Sequence, residues 1–436
     1  MKNKMQIRNQ LAEPMKHVYW YIDRPLNPPL KENSKVDVLI VGGGMAGLSA
    51  AQAFHEKGLR VALIEKNFCG AGASGKSSGF ITPDSEFALH NLIDFYGDQM
   101  GKRLWEFAVS GVNFIENNIK RYNIPCDYQK QNTLVVASSH HAFHSSIKAE
   151  YKARATLNYT ATLYEKEQIP AILGSTNYYG AIEYPNTFGI KAYDYCQEMK
   201  TILTQAGVLV YEDTPLIGFT HTGVQTPHAS IIADKIILCL DRFINDFGKL
   251  LYQVYHVQTF LMMSEPIADD VIKALFPQRN YMVWDTSLIY NYFRVTGDNR
   301  LMLGGARLLS TYAPQEQYHN AAIVKKLTTM FAKNFSEVNV TFNYIWPGLI
   351  GITKDIMPIA GPDAKNPRIY YISGAAGLPW ATALGNYSAQ HILENRTDLD
   401  AVFSPYRAFA LGSWTQNLLG TRLTFALCNF MRTRSL

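Results

Sequence analysis

Three features of the sequence predict an α/β fold: a short apolar, β-branched run ending in glycines, a helix-forming stretch directly after it, and a second apolar run closed by an acid. Val36-Asp37-Val38-Leu39-Ile40-Val41 reads as a buried parallel strand. Residues 46–57 read as a helix stopped by Gly58, a residue suited to the left-handed position after a helix end. Val61-Ala62-Leu63-Ile64, closed by Glu65, reads as a second buried strand, which completes one βαβ unit.

Further strands are expected at 133–137, 207–211, 233–239 and 369–373, the last running into Gly374 and a helix through about residue 393. Residues 255–307 are strand-rich and aromatic, with Tyr281, Trp284, Tyr290, Tyr292 and Phe293. The pieces of the parallel-sheet domain thus come from both ends and the middle of the chain. The expected architecture is a Rossmann-like domain assembled from residues 36–90, 190–250 and 340–400. A second, substrate domain with a mainly antiparallel sheet is inserted at 91–189 and 251–339. Residues 1–35, with Tyr19-Trp20-Tyr21 and a proline-rich 24–29, read as an extended lead-in that could instead cover a domain surface or a neighbouring subunit. Residues 401–436 read as a helical tail. Its apolar run at 411–431, beside Arg422, Arg432 and Arg434, is expected to pack on its own protein or a partner subunit, or to lie on a membrane surface.

Composition narrows the class. With 436 residues, 47% of them hydrophobic and 18% charged, the chain can bury a full core, and its length suits two joined domains. A net charge of +5 without any Lys/Arg block speaks against a nucleic-acid partner. Cys69, Cys126, Cys196, Cys239 and Cys428 lie far apart and form no metal-like pair, which fits a reducing cytosol. The N-terminus lacks the apolar core of a secretory signal, and no apolar run approaches the ~18 residues of a spanning helix, so a cytoplasmic location is expected. His140, His141 and His144 have a spacing that could hold a metal on a helix, but no nearby Asp, Glu or Cys completes a set, and no metal is expected.

The chemistry is carried by Gly42-Gly43-Gly44-Met45-Ala46-Gly47. Gly42 permits a tight turn, Gly44 lets backbone approach a pyrophosphate, and Gly47 lets the helix pack close to the strand. The phosphates would rest on free amides at the helix start, around Met45 and Ala46. Glu65, at the end of the next strand, is placed to accept hydrogen bonds from a ribose diol. The motif alone does not separate FAD from NAD. A second glycine-rich stretch, Gly70-Ala71-Gly72-Ala73-Ser74-Gly75-Lys76-Ser77-Ser78-Gly79-Phe80, offers small residues, hydroxyls and one cation where a pyrophosphate and a flavin ring could pass; taken alone it reads as well as a surface loop.

Residues 70–80 resemble the segment that follows the ribose-binding acid in the D-amino-acid oxidase superfamily, whose amine-oxidising branch includes glycine oxidase, sarcosine oxidase and gamma-glutamylputrescine oxidase. Tyr19-Trp20 with Pro28-Pro29 is similar to the last of these groups. Asn291-Tyr292-Phe293-Arg294 followed by 300–305 resembles the family's substrate-domain signature. Residues 346–355 with Pro358 and Gly361 resemble its tryptophan-glycine motif, and 373–377 its last glycine loop, which in the family lies against the flavin.

The resemblance implies non-covalent FAD, since no Cys lies between 346 and 361 and no His within 70–80. It implies that Leu216 and Cys239 line the adenine end. Lys76, Ser77, Ser78, Gly79 and Phe80 would follow the phosphates toward the ring, and Gly374, Leu378, Pro379 and Trp380 would border its pyrimidine side. Lys66 and Ser74 belong to the same implied set. The chain departs from the family in three places: Gly377-Leu378-Pro379 replaces glycine-His-glycine, Lys76 replaces an arginine, and Asp241 replaces a glycine. Ile350, Ile352 and Thr353 stand where relatives that bind an α-amino acid place a carboxylate-clamping arginine. The implied activity is oxidation of a C–N bond in a primary or secondary amine or an amino-acid derivative. Hydride would pass to flavin N5, and O2 would act as acceptor, giving H2O2. Tyr292, Arg294, Trp346 and Trp380 are the candidates for the substrate face. Two alternatives stand beside this: a membrane-associated dehydrogenase passing electrons to a quinone or carrier protein, and a FAD-binding protein without catalysis.

Overall fold

The computed structural model describes residues 15–287, 290–305, 311–317 and 321–434, with side chains through Met431. Its first sheet has eight strands in the order Gly218–Phe219, Gly223–Gln225, Ser230–Leu238, Ser34–Val41, Val61–Ile64 and Leu209–Tyr211. Ile369–Ser373 joins the C-terminal half of Ser230–Leu238, and Ile359–Pro362 pairs with Ile369–Ser373. The central pairings are parallel, and the three strands Gly218–Phe219, Gly223–Gln225 and Ile359–Pro362 are antiparallel additions. Alternation along the first strand explains why its sequence is apolar from Val38 to its end: Val38 and Ile40 enter one core, while Leu39 and Val41 enter the core on the opposite face. The helices Met45–Glu56 and Leu378–Glu394 contribute to the first of these cores through Phe54, Ala50 and Leu384.

The second sheet runs Phe342–Thr353, Val254–Pro266, Arg300–Gly305, Tyr292–Val295, Tyr281–Asp285, Asn132–Val136, Gly180–Tyr184, Thr162–Glu165. Tyr281–Asp285 with Asn132–Val136 is its one parallel pairing among the described residues. The α/β class read from the sequence, with a discontinuous parallel sheet and a mainly antiparallel second sheet, is the fold observed. The strand expected at 207–211 starts later, at Leu209, because Gly207 takes φ +105° and caps the preceding helix Ala192–Ala206.

The N-terminal arm is more than an extended lead-in. Met15, Val18 and Trp20 are buried in a cluster with Trp346, Phe80 and Tyr292, so the arm covers a surface of its own chain. The tail forms two helices, Ser413–Leu419 and Thr421–Arg434. Phe425 and Cys428 are buried, and Asn429 Nδ2 donates to the carbonyls of Thr353 and Lys354 at 3.0 and 2.8 Å. The side chains of Arg432 and Arg434 lie outside the described residues. No helix of the described residues is long and apolar enough to cross a membrane.

Candidate active site

The turn between Ser34–Val41 and Met45–Glu56 is bare of side chains for steric reasons. A Cβ on Gly42, whose φ is +110°, would lie 2.3 Å from the Cys239 carbonyl oxygen, and one on Gly47 would lie 1.8 Å from the carbonyl oxygen of Gly42. Gly44 is the N-cap, and the helix carries no acid in its first turn, so its start favours an anion. Met45 N donates to Ser74 Oγ at 3.0 Å, which draws the second glycine-rich loop against the first. Glu65 Oε2 accepts from Gly43 N at 2.8 Å and Oε1 from Asn67 N at 2.9 Å. Burial raises its pKa, and the two amides oppose that rise. A carboxylate offers about four acceptor positions, so capacity for a ribose diol remains.

A cleft of about 470 Å³ brings most of the expected cofactor contacts together. Gly42, Gly44, Met45 and Ala46 line it from the turn, and Glu65, Lys66, Leu216 and Cys239 from the neighbouring strand ends. Ser74, Lys76, Ser77, Ser78 and Phe80 line it from the second loop, and Leu378 from the last. Gly47, Gly79, Gly374 and Pro379 stand behind this wall. A Cβ on Gly79 would meet the Ile190 carbonyl oxygen at 1.8 Å, and one on Gly374 would meet Thr353 Cγ2 at 2.7 Å. Pro379 sits in the first turn of Leu378–Glu394, where a missing N–H leaves no helical bond unmade, and its carbonyl faces Gly111.

Of the four substrate-face candidates, Tyr292 lines the cleft. The other three support its wall from behind. Trp346 Nε1 donates to the Lys76 carbonyl at 2.9 Å, and Trp380 Nε1 to the Pro83 carbonyl at 3.1 Å. Arg294 is wholly buried, with Nε on the Ser78 carbonyl at 3.1 Å and Nη2 on that of Ile190 at 2.8 Å. Burial lowers its pKa to about 10. The second loop is short of regular secondary structure, and these donors satisfy or brace its backbone.

Lys76 is buried and paired with Glu316 at 2.7 Å, so its charge is shared between the cleft and that acid. Burial lowers its pKa, as it does that of Lys66, whose ammonium stands 3.3 Å from the Phe243 ring centre. Arg242, which the sequence did not single out, lines the same region and donates from Nη1 to the Leu349 carbonyl at 2.6 Å. Asp241 explains its own departure from glycine: it takes φ +48°, a conformation Asp tolerates, and accepts from Gly351 N at 2.8 Å.

The cleft also holds an aromatic group. Phe80 stacks on Trp284 at 5.6 Å and meets Tyr292 edge-on at 5.7 Å, and Tyr290 lies 5.8 Å from Tyr292. Glu86 shares this cleft. Burial, with no charged partner among the described residues to offset it, pushes its carboxyl up to about 8. Trp284 and Tyr290 were visible in the sequence as part of an aromatic-rich stretch, whereas nothing around Glu86 marked it.

Residues 37–391 match the family described as DAO, FAD dependent oxidoreductase. The chain is 26% identical over 365 residues to a probable oxidoreductase OrdL of Haemophilus influenzae, covering 80% of each. It is 27% identical over 354 residues to the gamma-glutamylputrescine oxidoreductase of Escherichia coli, covering 80% of this chain and 81% of that one. Among solved structures, L-proline dehydrogenase from P. horikoshii superposes with TM-score 0.73 at 17% identity over 86% of this chain and 98% of that one. Glycine oxidase from Geobacillus kaustophilus gives TM-score 0.73 at 18% identity over 86% and 100%. With a side-chain-free turn, an acid closing the next strand against that turn and a family match over most of its length, this chain belongs to the DAO family of FAD-dependent oxidoreductases, and FAD is its cofactor.

Proposed function

We propose that the enzyme oxidises the C–N bond of a primary or secondary amine, or of an amino-acid derivative, with O2 as acceptor and H2O2 as product. The main support is that Glu86 lines the same cleft as Phe80, Trp284, Tyr290, Tyr292 and the glycine turn. Aromatic faces attract a cationic amine. Burial moves the Glu86 titration to about 8, so its carboxyl holds a proton at neutral pH and becomes able to take one from an ammonium as pH rises toward and past 8. Bound FAD supplies the hydride acceptor. The side chains orient the amine, hold water away from it and leave its nitrogen unprotonated. Relatives named as gamma-glutamylputrescine oxidoreductase and glycine oxidase fit this class. Ile350 lines the cleft, and Arg242, its one arginine among the described residues, is engaged with Leu349; both favour an amine without a free α-carboxylate.

The test is purification, release of the flavin by heat or acid, and a panel of amines under air. FAD in the supernatant and H2O2 formed in proportion to amine consumed are expected. Flavin that photoreduces normally while no amine bleaches it would overturn the proposal and leave a non-catalytic role.

A second reading is favoured by Trp414 and Leu418, which are 75% and 68% exposed on the C-terminal helices. Such a surface suits delivery of electrons to a quinone or carrier protein at a membrane. It predicts slow O2 uptake and sedimentation with lipid vesicles. Equal sedimentation of a protein lacking residues 413–434 would remove it.

A further inference from the structure

A second cavity, of about 520 Å³, lies on the other side of the loop that carries Ser85 and Glu86. Pro83 lines it, whereas Ser85 and Glu86, two and three residues on, line the flavin cleft. Arg154 lines it too and is 3% exposed. Its guanidinium carbon lies 3.7 Å from the ring centre of Tyr184 and 4.6 Å from that of Trp105. Nε donates to Glu150 Oε1 at 2.7 Å, and the other oxygen of Glu150 accepts from His90 N at 2.9 Å. Nη2 of Arg154 has no hydrogen-bond partner among the described residues. A buried donor left in this state is unfavourable, and an acceptor oxygen in the cavity would satisfy it.

The charge balance favours an anion. Three cations line the cavity, Lys120, Lys130 and Arg154, against one acid, Glu116. Glu116 is engaged by Lys120 at 2.9 Å and by the Tyr128 hydroxyl at 2.7 Å. Glu150, behind Arg154, leaves an excess of one positive charge. Asp84, bonded to the Tyr184 hydroxyl, is pushed up to about 7 by burial and adds only part of a charge at neutral pH. Trp105, Val109 and Val112 give the same cavity an apolar side.

We propose that this cavity binds a small organic monocarboxylate, with its carboxylate on Arg154 Nη2 and Lys130 and its short carbon body along Trp105 and Val112. A monoanion matches the single excess charge, and the apolar side favours a carbon body over an inorganic ion. A planar guanidinium held between two rings presents a carboxylate with a fixed donor edge. The site is separate from the flavin chemistry and does not depend on which amine the enzyme oxidises.

The probe is sodium propionate, titrated calorimetrically into the FAD-loaded enzyme, with inorganic phosphate as the comparison. One saturable site is expected, with the flavin's visible absorption unchanged. Arg154→Lys should weaken it about tenfold or more. Lys130→Ala should weaken it about threefold. Lys130 is exposed, so its variant keeps the test open where Arg154→Lys does not fold. No saturable propionate binding, binding undiminished in the variants that fold, binding that perturbs the flavin spectrum, or tighter binding of phosphate than of propionate would each overturn the proposal.

Discussion

Trp20 and Trp346 meet edge to face with ring centres 5.1 Å apart, and their indole N–H groups donate to successive carbonyls, those of Gly75 and Lys76. Residues 326 positions apart in the chain thereby brace the four-residue helix Ala73–Lys76 from behind, while its Ser74 hydroxyl meets the first glycine turn. The arm, whose described residues 15–33 form no strand, is thus part of the support of the glycine-lined cleft.

Trp20→Phe keeps a ring against Trp346 and removes one donor. Leaving the Gly75 carbonyl unpaired in a buried setting should cost about 1–3 kcal/mol. Thermal unfolding should shift down, and FAD should leave faster in a dilution assay followed by flavin fluorescence. Unchanged unfolding and unchanged release would show that the arm only covers a surface.

Gly47→Ala forces a Cβ to within 1.8 Å of the Gly42 carbonyl oxygen, a contact with backbone that cannot move aside cheaply. The variant should purify colourless or fail to fold. Gly412→Ala is the control, because a Cβ there meets nothing within 4 Å and the residue lies outside the cleft, and it should stay yellow with a similar FAD content by absorbance.

Arg294→Met separates support from substrate binding. The guanidinium holds the carbonyls of Ser78 and Ile190, so its loss should lower stability by about 2–4 kcal/mol. The KM for amine in protein that remains folded should change little. A large rise in KM without loss of stability would place Arg294 on the substrate.

Glu86 gives a pH signature of its own. Below the ordinary carboxyl range, the folded and unfolded chains both hold its proton. Between that range and about 8 the unfolded chain releases it and the folded chain keeps it. This contribution to stability therefore falls as pH rises through the window. Glu86→Gln should flatten that fall in unfolding midpoints measured from about pH 5 to 8. An identical slope in both proteins would mean that the carboxyl titrates in its ordinary range.

The parts of the fold that were legible share a local cause. The apolar run 36–41, the glycines of 42–47 and Glu65 state their roles by spacing, because one βαβ unit closes within a short stretch of chain. The resemblance placed the second loop and the last one, and the cleft brings Ser74, Lys76 and Leu378 together with the turn. Arg294, Trp346 and Trp380 stand in family-like segments, and sequence could not show that their side chains face carbonyls rather than the cleft. Glu86 and Arg242 carry no periodicity or motif. Their importance comes from what lies across the cleft from them, which only the folded chain decides.

On the proposed function an amine meets Glu86 within the aromatic-lined cleft. Anaerobic rapid mixing of FAD-loaded enzyme with an amine substrate, wild type beside Glu86→Gln, tests this step alone. Amine should bleach the flavin of the wild type, and Glu86→Gln should slow that bleaching by about a hundredfold, as expected for a positioned base. Bleaching of the variant at the wild-type rate would show that Glu86 takes no part in amine oxidation.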